Sequence, residues 1–365
     1  VNGVLDDSLL ADPETLIARD TTGVLRAAAT AGAQVRSAAH ACGEAGLDRL
    51  RGFRPRALVL LRRPGVSGAV ADLVTALLGD RCPVPVVHAE RVPGWIGPLD
   101  VVVAHSTDSA DPELAESIAL AVRRGAETVL SAPDLGPVAQ AGAGRARLVE
   151  PRIPLPEGLG FAQALTVALT TVTELELLGP APDTEALAEV LDEEAERCQP
   201  GHEPFVNPAK SLALRMAERT PLLWGADPAA AAVARHGADA LATHAGVVAQ
   251  ADGLGQAGTL AGLRVAIDLG ERENDIFRDP FDDPEPAAAA LPPRLVLLGT
   301  GEEDPQMVSR RLLGREWPNA DVAHPVEEVP RGTRDAVLRR ALLLALRVDI
   351  AAVYLGLATR ASIEL

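Results

Sequence analysis

The stretch LDVVVAHSTDSADPELAESIALAVRRGAETV, residues 99–129, passes through three kinds of local chemistry in turn. Val101–Ala104 is apolar and β-branched, too short for a helix and suited to a parallel strand buried on both faces. HSTDSADP follows as a polar loop rich in hydroxyls. Asp111 is a good N-cap and Pro112 a good first-turn residue. Leu114, Ile118, Ala121 and Val122 then recur at helical spacing until Gly125 closes the helix. Val129–Leu130 begins another strand. A strand, a Ser/Thr loop and a helix N-terminus set backbone N–H groups and a helix dipole where an anion can sit, the geometry of a phosphate site. An ordinary βαβ turn with a capped helix has the same pattern, and the stretch alone does not choose between them.

Working outward, the same alternation continues on both sides. Residues 1–20 read as an irregular arm or short helix, and Val24–Ala45 as an Ala-rich helix. Arg56–Leu61 is a buried-strand candidate that leads through RRPGVSG into a helix over Ala69–Leu78. Pro83–His88, Thr128–Ser131 and Arg147–Glu150 add short strands, and the helix Phe161–Leu178 closes a first domain, residues 1–178. Asp183–Glu196 carries seven acids and no base, with Leu187, Val190 and Leu191 as one apolar stripe. It reads as a solvated helix in a linker, residues 179–205. A second α/β unit fills residues 206–365. It has a helix over Pro208–Glu218, a strand Thr220–Gly225, a helix Pro228–Ala240, strands Arg264–Leu269 and Arg294–Leu298, and a final helix Arg334–Leu357. Asp275–Pro293 is a Pro/Asp-rich loop. Alternation of this kind implies parallel sheets covered by helices on both faces.

Composition narrows the function classes. With 365 residues, 47% of them apolar, the chain can build two ordinary cores. It has no uninterrupted apolar run of 18 residues and no basic-then-apolar start, so a soluble, cytoplasmic protein with no membrane partner is expected. Cys42, Cys82 and Cys198 are isolated and odd in number, which favours a reducing compartment over a disulfide framework or zinc ribbon. The seven histidines show no metal-ligand spacing, and no metal or organic cofactor is implied. A net charge of −17 argues against nucleic acid as a partner. Lys210 is the one lysine, so any reaction that needs a lysine must use it.

Five segments, in order along the chain, resemble the SIS (sugar isomerase) domain superfamily, and within it the bifunctional phosphoglucose/phosphomannose isomerase family of two tandem SIS domains. They are RPGVSGAVADL (63–73), VPGWIGPLDVVVAHSTDS (92–109), IPLPEGLGFAQAL (153–165), NPAKSLALRMAERTPLLWG (207–225) and RVDIAAVYLGL (347–357). The resemblance implies two α/β SIS domains, each a mainly parallel, flavodoxin-like sheet in an α-β-α sandwich. It also implies a homodimer acting on a small sugar phosphate. Laid residue by residue, it assigns phosphate binding to Gly65, Ser67, Gly68, Ser106, Thr107 and Ser109. The family's S-x-S-G-N-T loop falls on Ala104, His105, Ser106, Thr107, Asp108 and Ser109, so its first serine is an alanine and its asparagine an aspartate. Asp108 and nearby Asp111 oppose a phosphate by about 4 kcal/mol per unit-charge pair at 4 Å, which Arg62 and Arg63 could offset.

Aldose–ketose isomerisation moves a proton between C1 and C2 through an enediol and needs a carboxylate base. The family takes it from a Glu in N-E-N-A-K, with a His in H-N-E and a C-terminal Lys. Here ARHGADALATHAGVVA overlies the first segment and puts Ala242 at the Glu position, while GLGQAG covers the second with neither His nor Glu. His244 and His105 are the substitute bases on offer, and Lys210 reads as structural. Two functions stay open. One is an isomerase converting glucose or mannose 6-phosphate to fructose 6-phosphate. The other is a catalytically silent phosphosugar-binding or regulatory SIS protein.

Overall fold

The computed structural model describes residues 5–273 and 291–359. They form two compact units. One holds Arg26–Ala195, the other the described residues of 5–25 and of 196 onward.

The first unit is built on strands β1 (Ala57–Leu61), β2 (Val86–Ala89), β3 (Asp100–His105), β4 (Glu127–Ser131) and β5 (Arg147–Val149). All pair in parallel, in the order β2-β1-β3-β4-β5. Every residue of β1 and β3 is buried, which is why both read as unbroken apolar runs. Alternate residues serve opposite faces. Val59, Leu61, Val102 and Ala104 join Leu114, Ile118 and Val138 in one core cluster, under helices Pro112–Arg123 and Gly136–Gly142. On the other face lie helices Ser67–Leu78 and Phe161–Glu174. Chain order reverses between β1 and β3, so the loops that leave their C-terminal ends border a switch-point crevice.

The second unit repeats the plan with β6 (Thr220–Gly225), β7 (Gln250–Gly253), β8 (Pro293–Leu298) and β9 (Asp321–Ala323), parallel throughout in the order β7-β6-β8-β9. Trp224 and Trp317 meet edge to face in its core, ring centroids 5.9 Å apart. The 23-residue helix Ala336–Ala358 has the length and hydropathy of a membrane span, yet 83% of its apolar window is buried in this core.

The fold class is therefore as expected, but several boundaries are corrected. Residues 5–25 belong with the second unit, not the first: Leu9, Leu10 and Leu16 are buried, Leu5 bridges to Thr359, and Arg19 donates to the Leu357 carbonyl at 3.0 Å. The acidic helix, Thr184–Arg197, is no free linker. Up to Ala195 it is part of the first unit, where Arg36 of helix Ala31–Glu44 pairs with Glu185 and Asp192. The close approach needs Gly32, whose Cβ would stand 2.7 Å from the Ala188 carbonyl. Arg264–Leu269 is not a strand but lies within helix Ala261–Glu273. Ile267 is buried while Val265 and Leu269 are exposed, whereas a strand would have put all three on one face. Up to residue 290, the expected Asp275–Pro293 loop lies outside the described residues.

Candidate functional site

The crevice of the first unit gathers the residues expected to hold phosphate. After β1 the chain turns through Gly65, whose φ of +89° favours glycine, and enters the helix at Ser67. The Ser67 hydroxyl accepts from the Arg63 amide at 2.6 Å and donates to the Arg63 carbonyl. It is 3% exposed, so its hydrogen-bonding capacity closes the turn. Gly68 leaves room for the Arg62 guanidinium, which a Cβ would approach to 3.3 Å. Arg62 in turn donates to Asp72 at 2.8 Å and lies 3.3 Å from His88 Nδ1.

The second loop, after β3, is tied to itself in the same way. Ser106 Oγ accepts from the Asp108 amide at 3.1 Å, and Asp108 Oδ1 from the Ala110 amide at 2.8 Å. Thr107 points to solvent. The Ser109 carbonyl accepts from Val138 N at 3.2 Å and would stand 2.6 Å from a Cβ on Gly136, which holds a φ of +89°.

The decisive group is Asp111. Its Oδ1 accepts from the amides of Glu113 (3.1 Å) and Leu114 (3.0 Å) at the start of helix Pro112–Arg123. Both carboxylate oxygens also receive Arg63, from Nε at 2.8 Å and Nη2 at 2.9 Å. The remaining Arg63 nitrogen donates to Glu113 at 3.1 Å and to the Glu90 carbonyl at 3.2 Å. The paired side chains are only 9% and 8% exposed. Burial alone would push the Asp111 carboxyl up, but the Arg63 guanidinium and the two amides outweigh it and hold the group below the usual carboxylate range. Arg63 is likewise held charged, burial being outweighed by Asp111 and Glu113. A protein carboxylate thus occupies the helix N-terminus at which the sequence pattern led us to expect a phosphate, and each first-loop arginine already has its own carboxylate.

His105 ends β3 on the face of helices Ser67–Leu78 and Phe161–Glu174. Its Nδ1 lies 3.0 Å from Ser131 Oγ, while Nε2 has no partner among the described residues. The imidazole lines a mostly apolar cleft with Ser67, Val70, Val74, Val103, Ala164 and Val167. Burial lowers its pKa to about 4, so it is neutral at physiological pH.

His244 is not at a crevice. It lies in the second unit, near the far end of helix Pro228–Ala245, about 24 Å along the axis from the β6 end. Its carbonyl packs where a Cβ on Gly356 would have to go, its Nε2 has no partner among the described residues, and burial lowers its pKa. Ala242, at the expected Glu position, is exposed. Lys210 is structural: its ammonium donates to the carbonyls of Pro200 (2.6 Å) and His202 (2.9 Å) and lies 5.5 Å from the centre of the Tyr354 ring. Among the described residues no group of three or more His, Cys, Asp or Glu could hold a metal ion. Sequence reasoning named Arg63 and Asp111 separately but missed their pairing across 48 residues. The adjacent cation and the D-P cap were the only signals.

Residues 205–361 match the family model of the bacterial phospho-glucose isomerase C-terminal SIS domain. That span contains the NPAKSLALRM and RVDIAAVYLGL segments on which part of the resemblance rested. Among solved structures, the chain is similar to the C-terminal domain of glucosamine-fructose-6-phosphate aminotransferase from Francisella tularensis. Identity there is 12% and the TM-score 0.55, over 94% of this chain and 96% of that one. It is also similar to tagatose-6-phosphate ketose/aldose isomerase from Escherichia coli, at 11% identity and a TM-score of 0.52, over 92% and 90%. At such identities the likeness is one of fold. A comparison with curated proteins finds no match.

Proposed function

We propose that this chain, whose residues 205–361 match a SIS-domain family model and whose fold is similar to that of solved phosphosugar isomerases, is a catalytically silent SIS protein, a regulatory or scaffold protein of phosphosugar metabolism that does not interconvert aldose and ketose phosphates. The observation that carries this reading is the Asp111 carboxylate seated on the Glu113 and Leu114 amides and clamped by Arg63. A phosphate entering there meets a fixed negative charge, and its binding must first break a buried ion pair. The acid–base side supports the same reading. An enediol mechanism needs a base that takes and returns a proton near neutral pH, and His105, with its pKa lowered to about 4, is a weak one. We further assign it to the cytoplasm as a homodimer, with a sugar phosphate as a weak ligand.

The test is a coupled isomerase assay with glucose, mannose and fructose 6-phosphates, run beside calorimetric titration of the same compounds. The expected result is no turnover above buffer and binding no tighter than millimolar. Turnover that disappears in His105→Gln or His244→Ala would overturn the proposal and name the base.

A further inference from the structure

The second unit has its own switch-point crevice, bordered by the loops that follow β6 and β8, and it too is filled from within. Asp227, which caps helix Pro228–Ala245 through Ala230 N at 2.9 Å, reaches the loop after β8. There its carboxylate accepts from Thr300 N at 2.8 Å, Thr300 Oγ1 at 2.6 Å and Gly301 N at 3.0 Å. Four donors converge on one carboxylate, about as many as its lone pairs can take.

Beneath the same loop lies Arg340, fully buried. Its Nη1 donates to the carbonyls of Thr300 (3.1 Å) and Gly301 (2.7 Å), and its Nε to the Val329 carbonyl at 3.0 Å. Its Nη2 has no partner among the described residues. The N–H and C=O of a trans peptide point in opposite directions. In the peptide joining Thr300 to Gly301 the N–H is aimed at Asp227 and the C=O at Arg340, so the two charges sit on opposite edges of one peptide. The loop dipole is aligned between them. Among the described residues the carboxylate paired with Arg340 is Glu302, at 3.1 Å and 53% exposed.

We propose that the second SIS domain is self-liganded. The Asp227 carboxylate stands in for an oxyanion of the phosphate or carboxylate class on the Thr300–Gly301 loop and holds that loop in its anion-bound form with no ligand added. This goes beyond the silent-isomerase reading and does not depend on it, since the residues belong to the other unit.

Removing the built-in anion must then create a demand for an external one. Asp227→Gly keeps most of the cap's stability and opens the space of one carboxylate. The thermal midpoint of the full chain is measured in sodium phosphate and in sodium chloride at matched ionic strength. The variant should lose about 5 °C in chloride and regain at least half of that, saturably, in phosphate. Wild type should show only the small, non-saturating rise that phosphate gives folded proteins in general. A variant that gains no more from phosphate than wild type does would overturn the proposal and leave Asp227 as a helix cap alone. If Asp227→Gly does not fold, Asp227→Asn retains the cap, and the Thr300 and Gly301 amide resonances should move saturably with phosphate in that variant only. Resonances that stay in place, or move equally in wild type, would overturn it as well.

Discussion

Replacing Asp111 tests the reading of the first crevice, because two substitutions separate its charge from its capping role. Asp111→Asn keeps an acceptor for the Leu114 amide but removes the charge facing Arg63, whose side chain is 9% exposed. Hydrogen bonds to a charged group contribute about 1.5–3 kcal/mol, so a loss of about 2 kcal/mol is expected. Asp111→Ala also forfeits the cap and leaves a buried guanidinium with the Glu113 carboxylate and the Glu90 carbonyl. Breaking a buried pair costs about 3–5 kcal/mol, and the loss should lie in that range. Hydrogen exchange of the amides in helix Pro112–Arg123, followed by mass spectrometry, reads this locally. A double-mutant cycle with Arg63→Met isolates the pair. The two losses should fall short of additivity by about 2 kcal/mol; additivity within about 0.5 kcal/mol would mean the contact is not a stabilising unit. The pH dependence has a fixed sign. The Asp111 carboxyl lies below its unfolded value, so its contribution is fully present above that value and is lost as pH falls through the folded one. With the charge gone, Asp111→Asn should also bind inorganic phosphate more tightly than wild type in calorimetry. Equal affinity would refute the idea that Asp111 plugs the site.

Other predictions follow from single features. Gly356→Ala places a Cβ 2.0 Å from the His244 carbonyl and should cost about 3 kcal/mol in urea unfolding, whereas Gly43→Ala, with open space around it, should stabilise by about 0.5–1 kcal/mol. His105 should show no titration above pH 5 by NMR, and a midpoint near 6.5 would mean its ring is not buried as described. Because its folded pKa is depressed, His105 supports stability above pH 6.5 and withdraws that support as pH falls towards 4. Lys210→Met, which leaves the Pro200 and His202 carbonyls without their donor, should lower stability by about 2 kcal/mol.

How much of this was legible in the sequence depends on what enforced each feature. β1, β3, β6 and β8 are buried almost throughout, and their apolar runs announce them. β7 and β9 edge the second sheet with QADG and DVA, segments with no apolar signature, and are specified by the strand beside them. The alternation of Val265, Ile267 and Leu269 imitates a strand, yet the chain follows the helical phase that buries Ile267. Ser67 and Ser106 were placed at the correct sheet edge, but a hydroxyl's direction is set by the nearest competing partner. In both cases that partner is the loop's own backbone. Asp227 was not singled out from the sequence, and its hold on Thr300, 73 residues away, exists only once β6 and β8 lie side by side.

The place of Lys210 has a practical consequence. The sole lysine of this sequence is 1% exposed, with its ammonium held by two carbonyls and covered by an aromatic ring. Folded, the chain offers no side-chain amine to an acylating reagent. Labelling at residue 210 therefore proceeds only as fast as this packing opens, and mass spectrometry of that one adduct would clock the opening of the second unit with a reporter the chain already contains.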